Sequence, residues 1–310
     1  MLYALVHKTK ITRYIYIGLY GTCLSPIMTQ IMHTAHLPLF PRIVLSIVIG
    51  NLIGFVLPPL STHTHYAHKG YSLYNVGFAA GIIATVVVSI FKSFGLQTES
   101  RLIWGTGYNA LFALMLTLLF LLMLLLASFK GKKEAWKQYF ELLKTTGMSG
   151  SDYITNFSLE ATFINMAING TFATIFVLLV GGQLNGPTIG GIFTIIGFST
   201  CGKHLFNIAP IMFGVFLASL TKIWEISDPS AMLALLFSTN LAPISGEFGP
   251  LMGILAGFLH SSVALNIGVV YSGMNLYNNG FAGGIVAIFM VPVIQSFQDR
   301  KARAKNHIGM

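Results

Sequence analysis

LYNVGFAAGIIA at residues 73–84 returns as LYNNGFAGGIVA at residues 276–287, and nine of the twelve positions are identical. A second pair precedes the first in each half, because GTCLSPIMTQI at 21–31 matches STNLAPISGEF at 238–248 without a gap. Both pairs stand in the same order, with an apolar segment between them each time. Two ordered matches are poorly explained by chance, so the chain contains an internal duplication.

The composition indicates which solvent surrounds the fold. Of the 310 residues, 54% are hydrophobic and 9% are charged, whereas an ordinary soluble domain has about 25% charged residues. So few charged side chains cannot cover a soluble domain of this length, while a bilayer requires apolar side chains wherever a protein faces lipid. The sequence therefore predicts an all-α, polytopic integral membrane protein with the lipid bilayer as a partner.

Basic residues indicate how the chain is oriented. Lys and Arg number 18 against 9 Asp and Glu, and they are concentrated at both chain ends and in one internal loop. The three clusters comprise Lys8, Lys10 and Arg13; Lys130, Lys132, Lys133, Lys137 and Lys144; and Arg300, Lys301, Arg303 and Lys305. Cytoplasmic loops of membrane proteins carry such an excess. We therefore expect a multi-pass protein of the cell (inner) membrane, with cytoplasmic N- and C-termini and no nucleic-acid partner.

Apolar segments of about 20 residues are candidates for membrane crossings. About ten transmembrane or re-entrant helices are predicted, at 14–33, 41–60, 73–95, 107–129, 157–181, 184–199, 206–222, 229–249, 250–270 and 275–297. The Leu-rich segment 107–129 is the least ambiguous of them. The segment 184–199 is short and rich in glycine, which favours a re-entrant helix.

These segments divide the chain into five parts. They are an incomplete first transmembrane repeat at 1–106, a linker transmembrane helix at 107–129, a cytoplasmic amphipathic linker at 130–156, a second transmembrane repeat at 157–298 and a basic cytoplasmic tail at 299–310. The amphipathic linker has two interpretations, an interfacial helix or a solvated one.

The two repeats are predicted to have inverted topology. If all three basic clusters are cytoplasmic, segment 14–33 runs outward and its counterpart 229–249 runs inward, and the unpaired helix 107–129 accounts for the reversal. Inverted repeats are common in transporters, whose solute site lies near the bilayer midplane between the halves. The alternative is a duplicated membrane protein without a transport function.

The first repeat is incomplete at its N-terminal side. LNGPTIGGIFTIIGFSTCGKHLFNIAP, residues 184–210, precedes the block at 238–248, and no such sequence precedes the block at 21–31 within the chain. We expect the natural gene product to carry a block like LNGPTIGGIFTIIGF before residue 1. Genomic sequence immediately upstream tests this expectation.

The same blocks resemble those of a known family. LNGPTIGGIFTIIGFSTCGKH, STNLAPISGEFG and LYNNGFAGG are similar to signature blocks of prokaryotic multispanning proteins with domain of unknown function 1576, usually in two copies, and the resemblance covers nearly the whole chain. It implies the architecture and no particular activity. A fainter resemblance, carried by Asn185-Gly186-Pro187-Thr188, is to urea transporters, which also have two inverted halves.

Glu247 is the first candidate for a solute site, because an ionisable residue in a membrane segment is costly and is by default a functional hypothesis. It lies in APISGEFGP, whose prolines interrupt a helix, and its counterpart in the first repeat is Gln30. One acid and one amide would suit a cation or proton beside a polar solute. The alternative is that Glu247 caps a helix at the membrane interface.

Further polar residues complete the candidate site. Asn185 and Thr188 lie at a Gly-Pro helix start, where free N–H groups favour ligand binding. The alternative is that the glycines of this segment serve helix packing. Asn75 and Asn278 each follow a tyrosine and are interface anchors or a polar lining. His260 couples protons or, as a buried ring, donates to a carbonyl. The predicted substrate-binding set is Glu247, Gln30, Thr22, Thr239, Asn240, Asn185, Thr188, Asn75, Asn278 and His260.

The expected function is a membrane transporter or channel for a small polar solute or ion. No nucleophile elbow, metalloprotease motif or phosphate loop occurs, so an enzyme is not expected. The alternatives are a membrane scaffold or receptor and, least favoured, an intramembrane enzyme that uses Glu247, Glu160 and His260. No cofactor or metal is expected, since Cys23 and Cys201 lie apart in apolar segments, and a homo-oligomer is left open.

We predict that the central loop and the C-terminal tail face the same side of the membrane. A cysteine in place of Lys132 and one in place of Arg303, each in a chain with Cys23 and Cys201 replaced by alanine, should react alike with a membrane-impermeant maleimide. Labelling from opposite sides would contradict the topology.

Overall fold

The computed structural model describes residues 2–33, 37–96, 103–129 and 132–308. These residues form helices and turns and contain no strand. Lys130 of the central basic cluster lies outside the described residues. Only the backbone is described for four other residues of the basic clusters, Lys132, Lys301, Arg303 and Lys305.

Fifteen α-helices follow one another within the described residues. They are α1 (Leu2–Val6), α2 (Ile15–Gly21), α3 (Ser25–Met32), α4 (Leu39–His68), α5 (Asn75–Ser93), α6 (Asn109–Ser128), α7 (Lys132–Leu142), α8 (Tyr153–Asn156), α9 (Leu159–Leu179), α10 (Gly186–Phe198), α11 (Leu205–Ser219), α12 (Pro229–Phe237), α13 (Ala242–Phe248), α14 (Pro250–Ile267) and α15 (Asn278–Ile308). Short 3-10 turns join some of them, at Ile11–Tyr14, Thr22–Leu24, Ser238–Leu241 and Gly268–Val270.

Six of these helices are long and apolar enough to cross a membrane. They are α4, α5, α6, α9, α14 with the 3-10 turn that follows it, and α15 as far as Arg300. The chain is therefore a membrane protein with six candidate spanning helices among its described residues. The predicted count of about ten is not confirmed.

The remaining predicted crossings are short or interrupted. α10 and α11 have 13 and 15 residues, fewer than the roughly 20 that cross the hydrocarbon core. The first predicted segment is divided by the 3-10 turn Thr22–Leu24, and its repeat counterpart by Ser238–Leu241. Pro26 and Pro243 stand in the first turn of the helices that follow. Proline is tolerated there because the N–H that it lacks has no partner within the helix.

The duplication is reproduced in the turns that precede α5 and α15. Lys69 and Gly70 have φ angles of 52° and 81°, and their counterparts Ser272 and Gly273 have φ angles of 49° and 75°. Two non-glycine residues in the left-handed region are uncommon. Their occurrence at equivalent positions shows that both turns follow the same backbone path.

The asparagine at the start of each following helix closes the turn. Asn75 Nδ2 donates to the carbonyl of Ser61, and Asn278 Nδ2 donates to the carbonyl of Ala264, at 2.6 Å in both cases. Each bond reaches back fourteen residues. From the ends of α4 and α14 onward, aligned residues of the two halves therefore occupy equivalent structural positions.

The two halves contact each other through equivalent surfaces. The backbone N–H of Leu73 donates to the carbonyl of Asn240 at 2.9 Å, and that of Leu276 donates to the carbonyl of Cys23 at 3.0 Å. Leu73 aligns with Leu276, and Cys23 with Asn240. The Leu-Tyr-Asn turn of each half, residues 73–75 or 276–278, therefore contacts the 3-10 turn of the other half, as in a two-fold related pair of surfaces.

Glycines make the contact between α5 and α15 possible. A Cβ on Gly77 would lie 3.1 Å from the Cα of Gly280, and a Cβ on Gly280 would lie 2.9 Å from the Cα of Gly77. One turn later, a Cβ on Gly81 would overlap a phenylalanine ring of α15, and a Cβ on Gly284 would overlap one of α5. The absence of side chains at four positions lets the helices meet.

The largest apolar core lies in the second half. Buried residues of α6, α9, α10, α11 and α12 form one cluster there, and α11 packs along α14. A separate cluster joins α3, α4 and α5 of the first half to Tyr271 and Met274. The larger core also includes Leu73 and Tyr74 of the first half, just before α5.

We predict that Gly81→Ala and Gly284→Ala each destabilise the protein. Each added Cβ would overlap a ring of the opposite half, and overpacking of this kind costs about 1–3 kcal/mol. The midpoint of thermal unfolding in detergent measures the effect. Gly54→Ala is the control, since Gly54 is exposed on α4 with no atom within 4 Å of an added Cβ. An equal loss in all three variants would contradict the prediction.

Candidate functional site

Lys203 is a fully buried lysine in the turn between α10 and α11. Its Nζ donates to Thr239 Oγ1 at 2.8 Å and to the hydroxyl of Tyr74. Tyr74 belongs to the first half and Thr239 to the second, so the lysine joins the two halves. This turn therefore lies where the halves meet.

Helix ends and aromatic rings surround the ammonium group. Nζ lies 4.5 Å from the ring centre of Tyr74 and 5.2 Å from that of Phe198. Phe198 ends α10, and Thr239 follows the last residue of α12 by two positions. The C-terminal ends of helices stabilise cations, and ring faces attract them. Across the described residues Lys203 forms no ion pair.

Two asparagines of α9 hold the lysine turn in place. Asn165 Nδ2 donates to the carbonyl of Ser199 at 2.8 Å and to that of Lys203 at 2.7 Å, and Asn169 Nδ2 donates to Ser199 Oγ at 2.7 Å. Both amides are fully buried. The buried carbonyls of the turn thus have partners, as a backbone outside regular helices requires in a membrane protein.

A second group of buried polar residues adjoins Thr239. Asn240 Nδ2 donates to the carbonyl of Asn279 at 3.2 Å, and Asn240 Oδ1 accepts from Ser72 Oγ at 3.3 Å. His260 Nε2 lies 3.2 Å from the same Asn279 carbonyl, as expected for a buried ring that donates to a carbonyl. Gly283 leaves room for Asn240, because a Cβ there would overlap its amide.

A partly open cavity of about 70 Å³ lies between the halves next to these residues. Its lining comprises Tyr20, Leu73, Tyr74, Asn75, Val76, Gly77, Thr194, Phe198 and Tyr277. One water molecule needs about 10–15 Å³ of such space, so the cavity has room for a solute of a few heavy atoms.

The aromatic walls repeat across the halves. The rings of Tyr20 and Tyr277 lie 5.8 Å apart, and the equivalent pair, Phe237 and Tyr74, lies 6.2 Å apart. Each pair combines the helix before one 3-10 turn with the Leu-Tyr-Asn turn of the other half. Tyr20, Tyr74 and Tyr277 of these pairs line the cavity, so both halves contribute aromatic residues to it.

Asn185 and Thr188 form a capping box at the start of α10. Asn185 Oδ1 accepts from the backbone N–H of Thr188 at 3.2 Å, and Thr188 Oγ1 accepts from that of Asn185 at 2.8 Å. Asn185 Nδ2 donates to the carbonyl of Gly105 at 2.9 Å. These bonds give the pair a structural role in the helix start.

Of the other predicted residues, Thr239, Asn240 and His260 are fully buried in the two polar groups, and Asn75 lines the cavity. Thr22 is exposed, and its Oγ1 donates to the carbonyl of Leu19 at 2.6 Å. The structure thus brings some of the predicted residues together at the contact between the halves.

Glu247 and Gln30 lie on separate short helices. Glu247 is exposed near the end of α13, and Gln30 is half-buried on α3. α13 packs against α11 and α14, whereas α3 packs against α4. Their closeness to each other remains a prediction.

Sequence reasoning missed Lys203. It stands in GFSTCGKHLF between two apolar segments, and the rule that singles out an ionisable residue within membrane segments applies to it as well as to Glu247. Its partners Tyr74 and Thr239 lie 129 and 36 residues away, so no local pattern reveals them.

A family model described as protein of unknown function, DUF1576, matches residues 1–93 and 131–296. The match confirms the resemblance carried by the repeated blocks. It includes both copies of each block and leaves out α6. No curated protein and no solved structure matches the chain, and the fainter similarity to urea transporters is not shown.

We predict that Asn185 acts as a helix cap. Asn185→Ala should lower stability by about 1 kcal/mol, whereas Asn185→Ser, which retains a capping oxygen, should lose less. Thermal unfolding in detergent measures the order of stabilities. Equal losses in both variants would contradict the capping role.

Proposed function

We propose, from the premise that this chain belongs to the DUF1576 family, that it is a transporter or channel for a small polar solute or ion. The observation that carries the proposal is the partly open cavity between the two halves, which is lined by aromatic residues of both halves next to buried Lys203. Ligand sites are concave, largely apolar and supplied with a few fixed polar groups. This cavity has that character.

The arrangement of the halves also supports a transport function. Reciprocal hydrogen bonds at Leu73 and Leu276 are those expected of two-fold related repeats. We propose that the axis lies in the membrane plane, since the three basic clusters then all face the cytoplasm. Transporters with inverted repeats bind their solute near such an axis.

Interrupted helices lie near the cavity, because Tyr20 and Phe198 of its lining precede two of the interruptions and Leu73 donates to Asn240 in the third. The 3-10 turns Thr22–Leu24 and Ser238–Leu241 and the turn that holds Lys203 all expose backbone groups away from a continuous helix. Such backbone occurs at membrane depth only where protein or water covers it. We propose that these turns provide the polar surface over which the solute moves, with the protein in the inner membrane and both termini cytoplasmic.

Transport is tested directly in proteoliposomes. Stopped-flow light scattering after osmotic shifts with urea, formamide and acetate, and ion-flux measurements with sodium and chloride, cover neutral and charged small solutes. We expect at least one permeability above that of empty liposomes. If every solute permeates protein-containing and empty liposomes alike, with and without a proton or sodium gradient, the proposal fails.

We predict that filling the cavity reduces transport. Thr194→Phe adds a ring to the cavity wall, and its neighbour Phe193, which is 48% exposed on the outer face of α10, provides the control Phe193→Leu. Uptake should fall in the first variant and remain near wild type in the second, with thermal stability measured for both. Equal uptake by the two variants would contradict the site.

Lys203→Met tests the polar part of the site. Methionine fills similar space but donates no hydrogen bond to Thr239 or Tyr74. Leaving a buried hydrogen-bond partner unsatisfied costs about 1–3 kcal/mol, so the loss of this donor from the transport path should reduce uptake by about tenfold. Undiminished uptake by folded Lys203→Met would show that the lysine has no part in transport.

A further inference from the structure

The short helix α7 lies beside the ends of two candidate spanning helices, α6 and α9, and packs against both. Ala135 and Tyr139 of α7 belong to a buried apolar cluster. The same cluster contains Ala127, in the last turn of α6, and Ile164, in the second turn of α9. Because α7 packs on the sides of helices that span the membrane, it lies at the level where those helices leave the hydrocarbon core.

Aromatic side chains adjoin the buried face of α7. Trp136 packs on the same cluster, and its ring centre lies 6.3 Å from that of Phe140. Phe140 is 57% exposed. Interfacial helices place Trp and Phe in the boundary between lipid headgroups and acyl chains, and an exposed ring at this level of the structure is in the position for that contact.

Lysines follow the aromatic side of the helix. Lys133, Lys137 and Phe140 are all exposed, and their spacing of four and three residues places them on one face of α7. Lys144 is exposed in the turn that ends the helix, four residues after Phe140. An exposed ring and three cations thus share one surface.

The intramolecular partners of these lysines are weak. Lys144 Nζ lies 2.7 Å from Glu141, and Lys137 Nζ lies 4.0 Å from Glu134. Both pairs have side chains that are more than half exposed, and such surface pairs contribute little. Lys133 forms no ion pair with the residues that the structure describes. The linker at 130–156 has five lysines against three acidic residues, so a net positive charge is left for an external anion.

We propose that α7 is an interfacial helix that binds anionic phospholipid headgroups, in the leaflet that the central linker faces. Trp136 and Phe140 enter the boundary above the acyl chains, and Lys133, Lys137 and Lys144 bind the lipid phosphates. Basic segments next to spanning helices recognise anionic lipids by this charge complementarity. The proposal does not depend on a transport function.

The depth of α7 in the bilayer is measured by fluorescence quenching. Phe140→Cys, in a chain with Cys23 and Cys201 replaced by alanine, is labelled with bimane. The labelled chain is placed in vesicles of phosphatidylcholine and phosphatidylglycerol with brominated acyl chains. Glu134→Cys is the matched control, because Glu134 is also exposed but lies about 120° away around the same helix. We expect stronger quenching at position 140 than at position 134.

Headgroup selectivity is measured by thermal unfolding in detergent. Dioctanoyl phosphatidylglycerol should stabilise the full chain more than dioctanoyl phosphatidylcholine, because a ligand that binds the folded state stabilises it. Added salt should reduce the difference. Replacement of Lys133, Lys137 and Lys144 by glutamine should weaken phosphatidylglycerol binding by about tenfold or more, whereas replacement of the same three by arginine should preserve it.

A second control separates this site from the overall charge of the protein. Replacement of Lys8, Lys10 and Arg13 by glutamine removes the same charge at another exposed basic cluster. That variant should keep the preference for phosphatidylglycerol. If it loses the preference to the same extent as the α7 variant, net charge accounts for the binding and the proposal fails.

Four further outcomes would overturn the proposal. Equal quenching at positions 140 and 134 would mean that α7 is a solvated helix. Equal stabilisation by the two lipids would mean that α7 does not select anionic headgroups. Equal stabilisation by soluble glycerol 3-phosphate would assign the lysines to a free phosphate. Disulfide formation between two unlabelled Phe140→Cys chains would assign the surface to a second copy.

Discussion

Two backbone hydrogen bonds organise this molecule, one from Leu73 to Asn240 and one from Leu276 to Cys23. Each joins the Leu-Tyr-Asn turn of one half to the 3-10 turn of the other. The backbone N–H at the start of each Leu-Tyr-Asn turn therefore has its hydrogen-bond partner in the other half. The glycines of α5 and α15 follow from this arrangement, because helices that start at two such adjoining turns must pass within backbone contact. Aromatic residues that flank the same turns line the cavity between the halves.

The buried lysine depends on this contact. Lys203 reaches Tyr74 of one half and Thr239 of the other, and α9 holds its turn through Asn165 and Asn169. A buried ammonium without a carboxylate is costly. The hydroxyls of Tyr74 and Thr239 and the ring faces of Tyr74 and Phe198 are the partners of its Nζ, so the position of this lysine is a direct product of how the halves meet.

Part of this arrangement could be predicted from the sequence. Nine identical positions in LYNVGFAAGIIA and LYNNGFAGGIVA reveal the duplication, and continuous apolar stretches reveal helices such as α6. The interruptions near Pro26 and Pro243 were predicted as broken helices, but a short 3-10 turn has no reliable sequence pattern. The predicted count of about ten crossings is not confirmed, because apolar composition does not distinguish a 13-residue helix such as α10 from part of a longer one.

The site was harder to predict, for physical reasons. Asn185 was expected to bind a ligand, and the structure gives it local capping bonds that a Gly-Pro helix start also requires. Lys203 was missed because its partners are brought to it only by the contact between the halves. Thr239 and Asn240 were found because their block is repeated, which marks positions near the contact even where the two copies differ.

The orientation of the two halves is the claim on which this account depends most, and labelling at one pair of equivalent residues tests it. Phe94 follows α5, Phe297 is its counterpart in α15, and the two side chains are 81% and 67% exposed. Single cysteines at these positions, in a chain lacking Cys23 and Cys201, can be labelled in sealed vesicles with a membrane-impermeant maleimide. Inverted repeats place them on opposite sides of the membrane, with position 297 cytoplasmic. Labelling of both from the same side would show that the repeats are parallel and would contradict the account.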